Sequence, residues 1–464
     1  MRRFVEVDRD TQFLLPVDLR DWVPEEHIVH FIIEAVEEIA PKIKFHVNER
    51  GCGSQQFNPE MMLELLIYSY SIKRFSSYAI EKATYSDIPT MYITAMNHPD
   101  HNTINNFRKN NKDAFKEVFV QVLLLAQATG LMKKLGTISI DGTKVQANAS
   151  KHKAVSYAYA KEKIEKYEKE VEELIQQADV IDNTENEVDL PKEITLREKR
   201  IKVLKEAVTK MEEMKKDIYE HEKEEFDRKQ KEREEEEKKS GKKHGGKKPK
   251  EPENKVDDKA QINFTDSESR IMKFGNSKNF DQGYNLQATV DTNSMLIVGT
   301  YPTQKGTDKQ ELKKAVESIS EKIEKDEQIY AVADTGYFSG KIIEDIEKEH
   351  PEVKVICATK RERHGKTVEK VLEQLPEKMP EEEKDTPMTT KKMQARLRTN
   401  EGQKLYALRK IISEPVFGII KRVMGFRQFL MRGLKNIEIE WDLVTISYNL
   451  NRMFTLKSAK LAIK

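Results

Sequence analysis

The chain has 464 residues, with 81 lysines and arginines against 80 aspartates and glutamates, so its formal net charge is only +1. A chain of this length is too long for one ordinary hydrophobic core, and we expect two or three domains. Charged residues make up 35% of the sequence, well above the roughly 25% of an average globular chain. Two distant cysteines, Cys52 and Cys357, exclude a disulfide framework and a cysteine-based zinc site.

The small net charge conceals one strongly basic region. Residues 391–436 hold twelve lysines and arginines but only two acids, Glu401 and Glu414. A local excess of this kind favours a polyanionic partner. The longest apolar run, residues 118–126, is about half of a membrane span, and the N-terminus lacks the apolar segment of a secretory signal. We therefore expect a cytoplasmic protein without a membrane partner.

Helical patterns dominate the N-terminal region. A proline followed by acids precedes apolar residues that are spaced as in a helix from Ile28 to Ile39. A buried helix is predicted from Pro59, and one long helix from Thr103 to Gly130, whose glycine suits a C-terminal cap. Arg108 and Lys109 lie near the start of that long helix. The pattern fits a helix-turn-helix-like DNA reader, and it fits equally a helical bundle with a solvated face.

A different pattern begins at Gly136, where strands alternate with helices. Residues 137–145 alternate between apolar and polar side chains, as a half-buried strand does. Further on, we predict a hairpin of two strands at residues 284–291 and 295–302. A helix at 309–325, a strand at 328–338, a helix at 340–350 and a strand at 353–359 follow it. A helical segment then ends the chain. With residues 151–261 set aside as an insertion, this is the order of an RNase H-like fold with a mixed sheet.

The insertion has its own pattern. Two apolar runs with a/d spacing flank a turn-rich segment, which predicts an antiparallel helical hairpin; the runs are Ile164, Tyr167, Val171 and Leu174, then Ile201, Leu204, Val208, Met211 and Ile218. Residues 221–250 carry 21 charged side chains among 30. That segment cannot bury a core, and we expect it to be mobile.

This order of elements makes three acids candidate metal ligands. Asp141 lies late in the first strand and Asp334 ends the fourth, and these strands are neighbours in such a mixed sheet. Glu414 comes from the C-terminal helical segment. Carboxylates combined with waters and phosphate oxygens suit Mg²⁺, and two such ions about 4 Å apart support in-line phosphoryl displacement. Asp291 also ends a strand and is a rival ligand, although a hairpin turn explains it more simply.

At this point the chain resembles the bacterial insertion-sequence transposases of the DDE class, whose catalytic domain is RNase H-like. The resemblance covers nearly the whole chain and rests on segments in a fixed order: FLLPVDLRDWVPEEH, PDHNTINNFRK, ISIDGTKVQANAS, NFDQGYNLQATVD, ADTGYFS and YALRKIISEPVFGIIKRVMGFRQFLMRGL. It implies that Asp141, Asp334 and Glu414 are the metal-binding catalytic triad. It also implies two Mg²⁺ ions as the cofactor, for which Mn²⁺ can substitute.

The resemblance extends to residues that contact DNA. Tyr406, Arg409 and Lys421 match a signature around the third acid, Tyr-x2-Arg-x3-Glu-x6-Lys, and Arg422 follows directly. One departure stands out, because four residues rather than three separate Arg409 from Glu414, and a proline follows the acid. A proline there either begins a new helix in its first turn or kinks an existing one.

Glu401 competes with Glu414 for the role of third acid. Glu414 has a lysine seven residues later, which is two helical turns on the same face, and apolar residues follow that can anchor its helix. Glu401 lies beside Asn400 and Gly402, which predicts a mobile turn that would position a metal ligand poorly. We therefore choose Glu414.

The sequence thus predicts a mixed α+β and α/β protein in three parts. Residues 1–135 form a helical domain that binds DNA ends, with Arg108 and Lys109 among its contacts. Residues 136–150 and 262–464 form the RNase H-like catalytic domain, and residues 151–261 form the helical hairpin and charged flexible insertion.

The function that the resemblance implies is DNA transposition. The enzyme would bind the ends of its own element, cleave strands by metal-dependent hydrolysis, and join the 3′-OH ends to target DNA. Its partners would be double-stranded DNA and a second copy of the chain in the active complex, at the nucleoid in the cytoplasm. The alternatives are another RNase H-like nuclease, such as a junction resolvase, and a catalytically inactive DNA-binding descendant.

Overall fold

The chain divides into two compact units in the computed structural model. The first comprises residues 1–147 and 284–464, and the second comprises residues 148–283. The residues that the structure describes are 18–47, 56–181, 190–240, 251–275, 279–359 and 388–463.

Helices fill the described part of the chain before the first strand. They are α1 (Leu19–Trp22), α2 (Ile28–Ile39), α3 (Pro59–Ser71), α4 (Ser77–Ser86), α5 (Ile88–Ile93), α6 (His101–Asn110) and α7 (Lys112–Ala128). The predicted helices that begin at Ile28 and Pro59 are confirmed. Every residue of α3 from Met62 to Tyr70 is buried, so this helix lies at the centre of a helical bundle.

The predicted single helix from Thr103 to Gly130 is wrong, because α6 and α7 are separate helices that meet at Asn111. The side chain of Asn111 is buried, accepts a hydrogen bond from the backbone N–H of His46 at 2.7 Å, and donates to the carbonyl of Phe107 at 2.9 Å. An asparagine bonded in this way competes with the helical backbone bonds. The expected cap at Gly130 is present, since this glycine has a φ of +66° just after α7 ends.

The strands are β1 (Leu135–Gln146), β2 (Ala154–Ser156), β3 (Gln261–Asn263), β4 (Arg270–Lys273), β5 (Phe280–Asp291), β6 (Ile297–Thr303), β7 (Lys325–Ala333) and β8 (Val353–Cys357). Five of these strands form the sheet of the first unit, in the order β6-β5-β1-β7-β8. β5 and β6 form the predicted antiparallel hairpin, whereas β1, β7 and β8 are parallel. This mixed sheet is consistent with an RNase H-like fold.

Helices α10 (Leu312–Glu317), α11 (Gly340–Glu349), α12 (Met388–Arg398), α13 (Asn400–Gly418) and α14 (Leu434–Ile463) complete the first unit. The helix predicted over residues 309–325 is much shorter than expected. Its end follows from Ser318, whose hydroxyl donates to the carbonyl of Ala315 and competes with further helical bonds. α14 packs against α3, α7 and β6, so the N-terminal helices and the sheet share one core. Within the described ranges, no helix is long and apolar enough to span a membrane.

The second unit contains two long helices, α8 (Tyr157–Ile181) and α9 (Leu190–Ser240). Its buried core joins them to short strands and is formed by Val155, Tyr157, Ala160, Leu204, Ala207, Met211, Val256 and Ile262. α9 continues through residues 221–240, so this part of the charged run is helical, and its mobility stays a prediction. Glutamate and lysine are good helix formers and can sustain a solvated helix. Residues 241–250 of the charged run lie outside the described residues.

Arg108 lies in the interior, which corrects the expectation that it contacts DNA. Its side chain is 3% exposed. The guanidinium donates to the hydroxyl of Tyr70 at 2.9 Å, to the carbonyl of Phe75 at 3.1 Å and to the side-chain oxygen of Asn105. It therefore ties α6 to α3. Lys109, the next residue, is exposed.

Replacing Arg108 with methionine should lower the free energy of unfolding by about 2–4 kcal/mol, because buried acceptors lose their donor. The matched control is Lys109→Met, which should change it by less than about 0.5 kcal/mol, as an exposed substitution does. Urea denaturation of both variants measures the difference. Equal losses would contradict the interior role of Arg108.

Candidate active site

The pairing of β1 with β7 brings two of the predicted acids together. In the parallel register Ile140 is the partner of Ala333, so Asp141 and Asp334 are the next residues on adjacent strands. Neighbouring strands lie about 4.8 Å apart. β1 itself continues to Gln146, but its pairing with β7 ends at Ile140. The two carboxylates therefore emerge side by side where the strands diverge.

Both aspartates are held by backbone contacts. One carboxylate oxygen of Asp141 accepts the N–H of Gly142 at 2.9 Å, and one of Asp334 accepts the N–H of Thr335 at 2.7 Å. Asp334 also caps the single 3₁₀ turn that follows β7. The thiol of Cys357, on β8, donates to the carbonyl of Asp334 at 3.0 Å.

Arg409 on α13 faces the two aspartates. Its Nη1 lies 3.6 Å from a carboxylate oxygen of Asp334, and its side chain is 11% exposed. Burial lowers the pKa of Arg409. The negative charges of Asp334, Asp141 and Glu414 raise this pKa, and because their effect exceeds that of burial the net shift is upward. Its Nε is buried and has no hydrogen-bond partner among the described residues. Arg409 is thus a cation with a spare donor inside an acidic cleft.

Asp141 has a strongly altered acidity. Burial raises its pKa to about 7, and the nearby charges of Asp334 and Asp308 act in the same direction. The N–H of Gly142 and the charge of Arg409 oppose the rise but do not cancel it. A cation in the cleft would favour the ionised form.

Glu414 is exposed on α13, and its charge is close enough to Arg409 to raise the pKa of that arginine. The preceding residue, Ser413, is fully buried, and its hydroxyl lies 2.8 Å from that of Ser139 on β1. Ser139 is two residues before Asp141, so this contact fixes α13 against the strand that carries the first acid. Pro415 lies inside α13 and neither starts a helix nor ends one. Ser413 therefore takes the inward position, and Glu414 follows at the rim.

Glu401 lies elsewhere. The predicted mobile turn around it is wrong, because Glu401 is in the first turn of α13, where the hydroxyl of Thr399 accepts the N–H of Gly402 at 2.9 Å. Its carboxylate is hydrogen-bonded to Tyr330, which raises the pKa of that tyrosine. Tyr330 is four residues before Asp334 on β7, or roughly 13 Å along a strand. Glu401 is consequently remote from the paired aspartates.

The remaining residues of the signature also lie on this side of the sheet. A single π-helical turn, Ile419–Val423, follows α13 and contains Lys421. The ammonium of Lys421 donates to the hydroxyl of Thr143 at 2.6 Å and to the carbonyl of Lys144 at 2.8 Å, and burial lowers its pKa. The ring of Tyr406 lies 5.7 Å from the guanidinium of Arg409. Arg422 is exposed.

Two family comparisons match the chain. Residues 258–450 match the family described as Transposase DDE domain, and residues 17–110 match the one described as Transposase domain (DUF772). No curated protein and no solved structure matches it. The chain belongs to the insertion-sequence transposases of the DDE class. The first range contains Asp334 and Glu414, whereas Asp141 of this transposase precedes it.

The carboxylates of the transposase suit a divalent cation by their chemistry, since all three predicted ligands are hard oxygen donors. Their ligand atoms are not drawn tightly together. In the described part of the transposase, the group of three acidic or histidine ligands within 4.8 Å of one another is instead Glu317, Glu349 and His350, at the surface. Mutual repulsion of carboxylates and the intervening Arg409 explain the wider spacing at the cleft.

Asp291, the rival ligand, has a structural role in the transposase. It is 1% exposed, and one carboxylate oxygen accepts the N–H and the hydroxyl of Ser294 at 2.8 and 2.6 Å. These bonds close the turn between β5 and β6. The simpler explanation of Asp291 as a hairpin residue is therefore confirmed.

A polar group beside Asp141 was not predicted from the sequence. Asn285 and Gln287 on β5 are buried, and both donate to one oxygen of Asp308, which follows β6. A Cβ atom on Gly142 would lie 2.6 Å from Gln287 Nε2 and 2.9 Å from Asp308 Oδ1, so a larger residue there would displace these side chains. The available signal was the spacing of the two amides, which are two residues apart in the strand and therefore lie on one face.

The acidity of Asp141 gives a test in the metal-free transposase. Its pKa of about 7 in the folded chain lies above the unfolded value near 3.8, so the protonated form stabilises the fold at low pH. That stabilisation is complete below about pH 4 and is lost as the pH rises to about 7. As the pH rises from 4 to 8, the free energy of unfolding of Asp141→Asn should therefore increase by roughly 2–4 kcal/mol relative to that of the wild type.

Urea denaturation in a chelating buffer at pH 4.5 and pH 8 measures this change. A difference between the wild type and Asp141→Asn that does not vary with pH would show that Asp141 has an ordinary acidity.

Proposed function

We propose that this transposase cleaves DNA strands at the ends of its own element by metal-dependent hydrolysis and transfers the 3′-OH ends to target DNA. The observation that carries the proposal is the lateral pairing of Asp141 with Asp334, with Arg409 facing both. In the first step water is the nucleophile, and in the second the DNA 3′-OH is. Such displacements need no covalent protein intermediate.

Asp141, Asp334 and Glu414 would hold the ions, two Mg²⁺ ions or Mn²⁺ in their place. Bound ions would assist the attacking oxygen and stabilise the leaving one. The protein supplies the fixed placement of the carboxylates: the β1–β7 register sets the first two, and the Ser413–Ser139 contact sets the helix of the third. The exposed position of Glu414 leaves room for a DNA strand at the rim.

Arg409, Tyr406 and Lys421 would bind the DNA backbone next to the reacting phosphate. The position of the Arg409 guanidinium beside Asp334 supports this role, because a phosphate oxygen is the acceptor that a guanidinium matches best. Lys421 lies beside β1 just beyond Asp141, and the exposed Arg422 extends the basic surface. Phosphate contacts of this kind position DNA without reading its sequence.

End recognition would belong to the helical region at residues 1–135, where the exposed Lys109 remains a candidate contact. Since an element has two ends and the described strands β1 and β7 bring together one pair of aspartates, we propose that two copies act together on double-stranded DNA at the nucleoid. An RNase H-like nuclease of another class is disfavoured, because residues 17–110 also match a transposase family.

Asp141→Ala and Asp334→Ala should each reduce strand cleavage by at least about a hundredfold, because each removes charge stabilisation in the transition state. Binding of end DNA should stay within about threefold of the wild type, since affinity comes chiefly from phosphate contacts elsewhere. Gel-based cleavage and binding assays in Mg²⁺ measure both. Cleavage at the wild-type rate would remove that residue from the triad.

The choice of third acid is tested by a matched pair. Glu414→Gln should lower cleavage at least about a hundredfold, because an amide cannot offset the charge of a metal ion as a carboxylate does. Glu401→Gln, on the same helix but bonded to Tyr330, should be nearly silent. Similar mild losses in both variants would mean that neither glutamate is the third ligand.

A further inference from the structure

A carboxylate outside the triad is part of a buried chain of hydrogen bonds. Asp308 Oδ1 accepts from Asn285 Nδ2 at 2.7 Å and from Gln287 Nε2 at 2.8 Å. The hydroxyl of Tyr337 in turn donates to Gln287 Oε1. Asn285, Gln287 and Tyr337 are each at most 1% exposed. Bonds between buried polar side chains are costly to leave unmade, so these four residues act as one unit.

Asp308 determines which groups donate and which accept in this series of hydrogen bonds. A glutamine side chain presents a donor at one side and an acceptor at the other, whereas an ionised carboxylate only accepts. Asp308 therefore turns the amide nitrogen of Gln287 toward itself, which leaves Gln287 Oε1 to receive the hydroxyl of Tyr337. Without an acceptor at position 308, the orientation of the Gln287 amide is no longer determined from that side.

Both ends of the chain touch backbone next to the paired aspartates. At one end, the backbone N–H of Tyr337 donates to the carbonyl of Asp334 at 3.0 Å, which closes the turn that Asp334 caps. At the other end, Gln287 and Asp308 pack so closely on Gly142 that a Cβ atom would lie within 3.0 Å of each. Gly142 directly follows Asp141. One polar unit therefore spans the segments just beyond both aspartates.

We propose that Asp308 is a positioning residue, which acts through Gln287 and Tyr337 to hold Asp141 and Asp334 at the separation that metal binding requires. The inference rests on the proposed function, in which these aspartates bind the ions. Asp308 Oδ1 already accepts two amide hydrogens, so the proposed role requires no contact between Asp308 and the ions. Residues that orient metal ligands in this way affect metal affinity strongly.

Mn²⁺ binding to the full chain without DNA, followed by electron paramagnetic resonance, tests the proposal independently of cleavage. Asp308→Ala should weaken Mn²⁺ binding by about tenfold or more, as loss of an orienting partner does. Asp308→Asn should keep the affinity within about threefold, because its amide oxygen still accepts both hydrogen bonds. The control is Lys309→Ala, an exposed neighbour, which should match the wild type.

The other end of the unit gives a second variant that does not depend on the folding of Asp308→Ala. Tyr337→Phe should also weaken Mn²⁺ binding, and Asp308→Ala combined with Tyr337→Phe should be no weaker than Asp308→Ala alone. Residues that act as a unit are non-additive in this way. Additive losses would overturn the proposed connection through Gln287.

Two further results would overturn the inference. Wild-type Mn²⁺ affinity in Asp308→Ala or in Tyr337→Phe would show that the unit does not position the ligands. Equal losses in Asp308→Asn and Asp308→Ala would show that the charge itself is needed, as for a direct ligand. Failure of the proposed function has a different signature: Asp334→Asn would then bind Mn²⁺ as the wild type does.

Discussion

The parallel pairing of β1 with β7 forces two like charges together, and much of the first unit is arranged around that constraint. Because Ile140 is opposite Ala333, Asp141 and Asp334 cannot avoid each other without breaking the sheet. Burial is the main cause of the raised pKa of Asp141, and the charge of Asp334 adds to the rise. Arg409 offsets part of it from α13, and backbone N–H groups hold one oxygen of each carboxylate. A site of this kind gains from any cation that enters it.

The helix that carries the third acid is fixed independently of that charge. Ser413 anchors α13 to β1 through a neutral hydroxyl contact, so Glu414 can remain at the exposed rim. The π turn after α13 takes one more residue than an α turn would, and Lys421 within it reaches the backbone of β1.

Strand order in the sequence was sufficient to predict the hairpin of β5 and β6 and the mixed sheet. The meeting of Asp141 with Asp334 followed from that order, because acids at the ends of neighbouring parallel strands lie at one edge of the sheet. Features decided by tertiary contacts were not predictable in this way. Arg108 looks like a surface cation in its helix, yet it binds Tyr70 from another helix. Asp308 lies in a loop with no pattern of its own, and only the folded sheet brings it to Gln287.

The position of the second unit in the chain has a consequence for synthesis. β1 lies between β5 and β7, but about 130 residues separate its end from the start of β5, which at 5–20 residues per second is roughly 7–26 seconds of translation. During that time β1 is a strand with both edges unpaired, and such edges are templates for association with other chains. Among the described strands of the sheet, the one that carries Asp141 therefore waits longest for its partners.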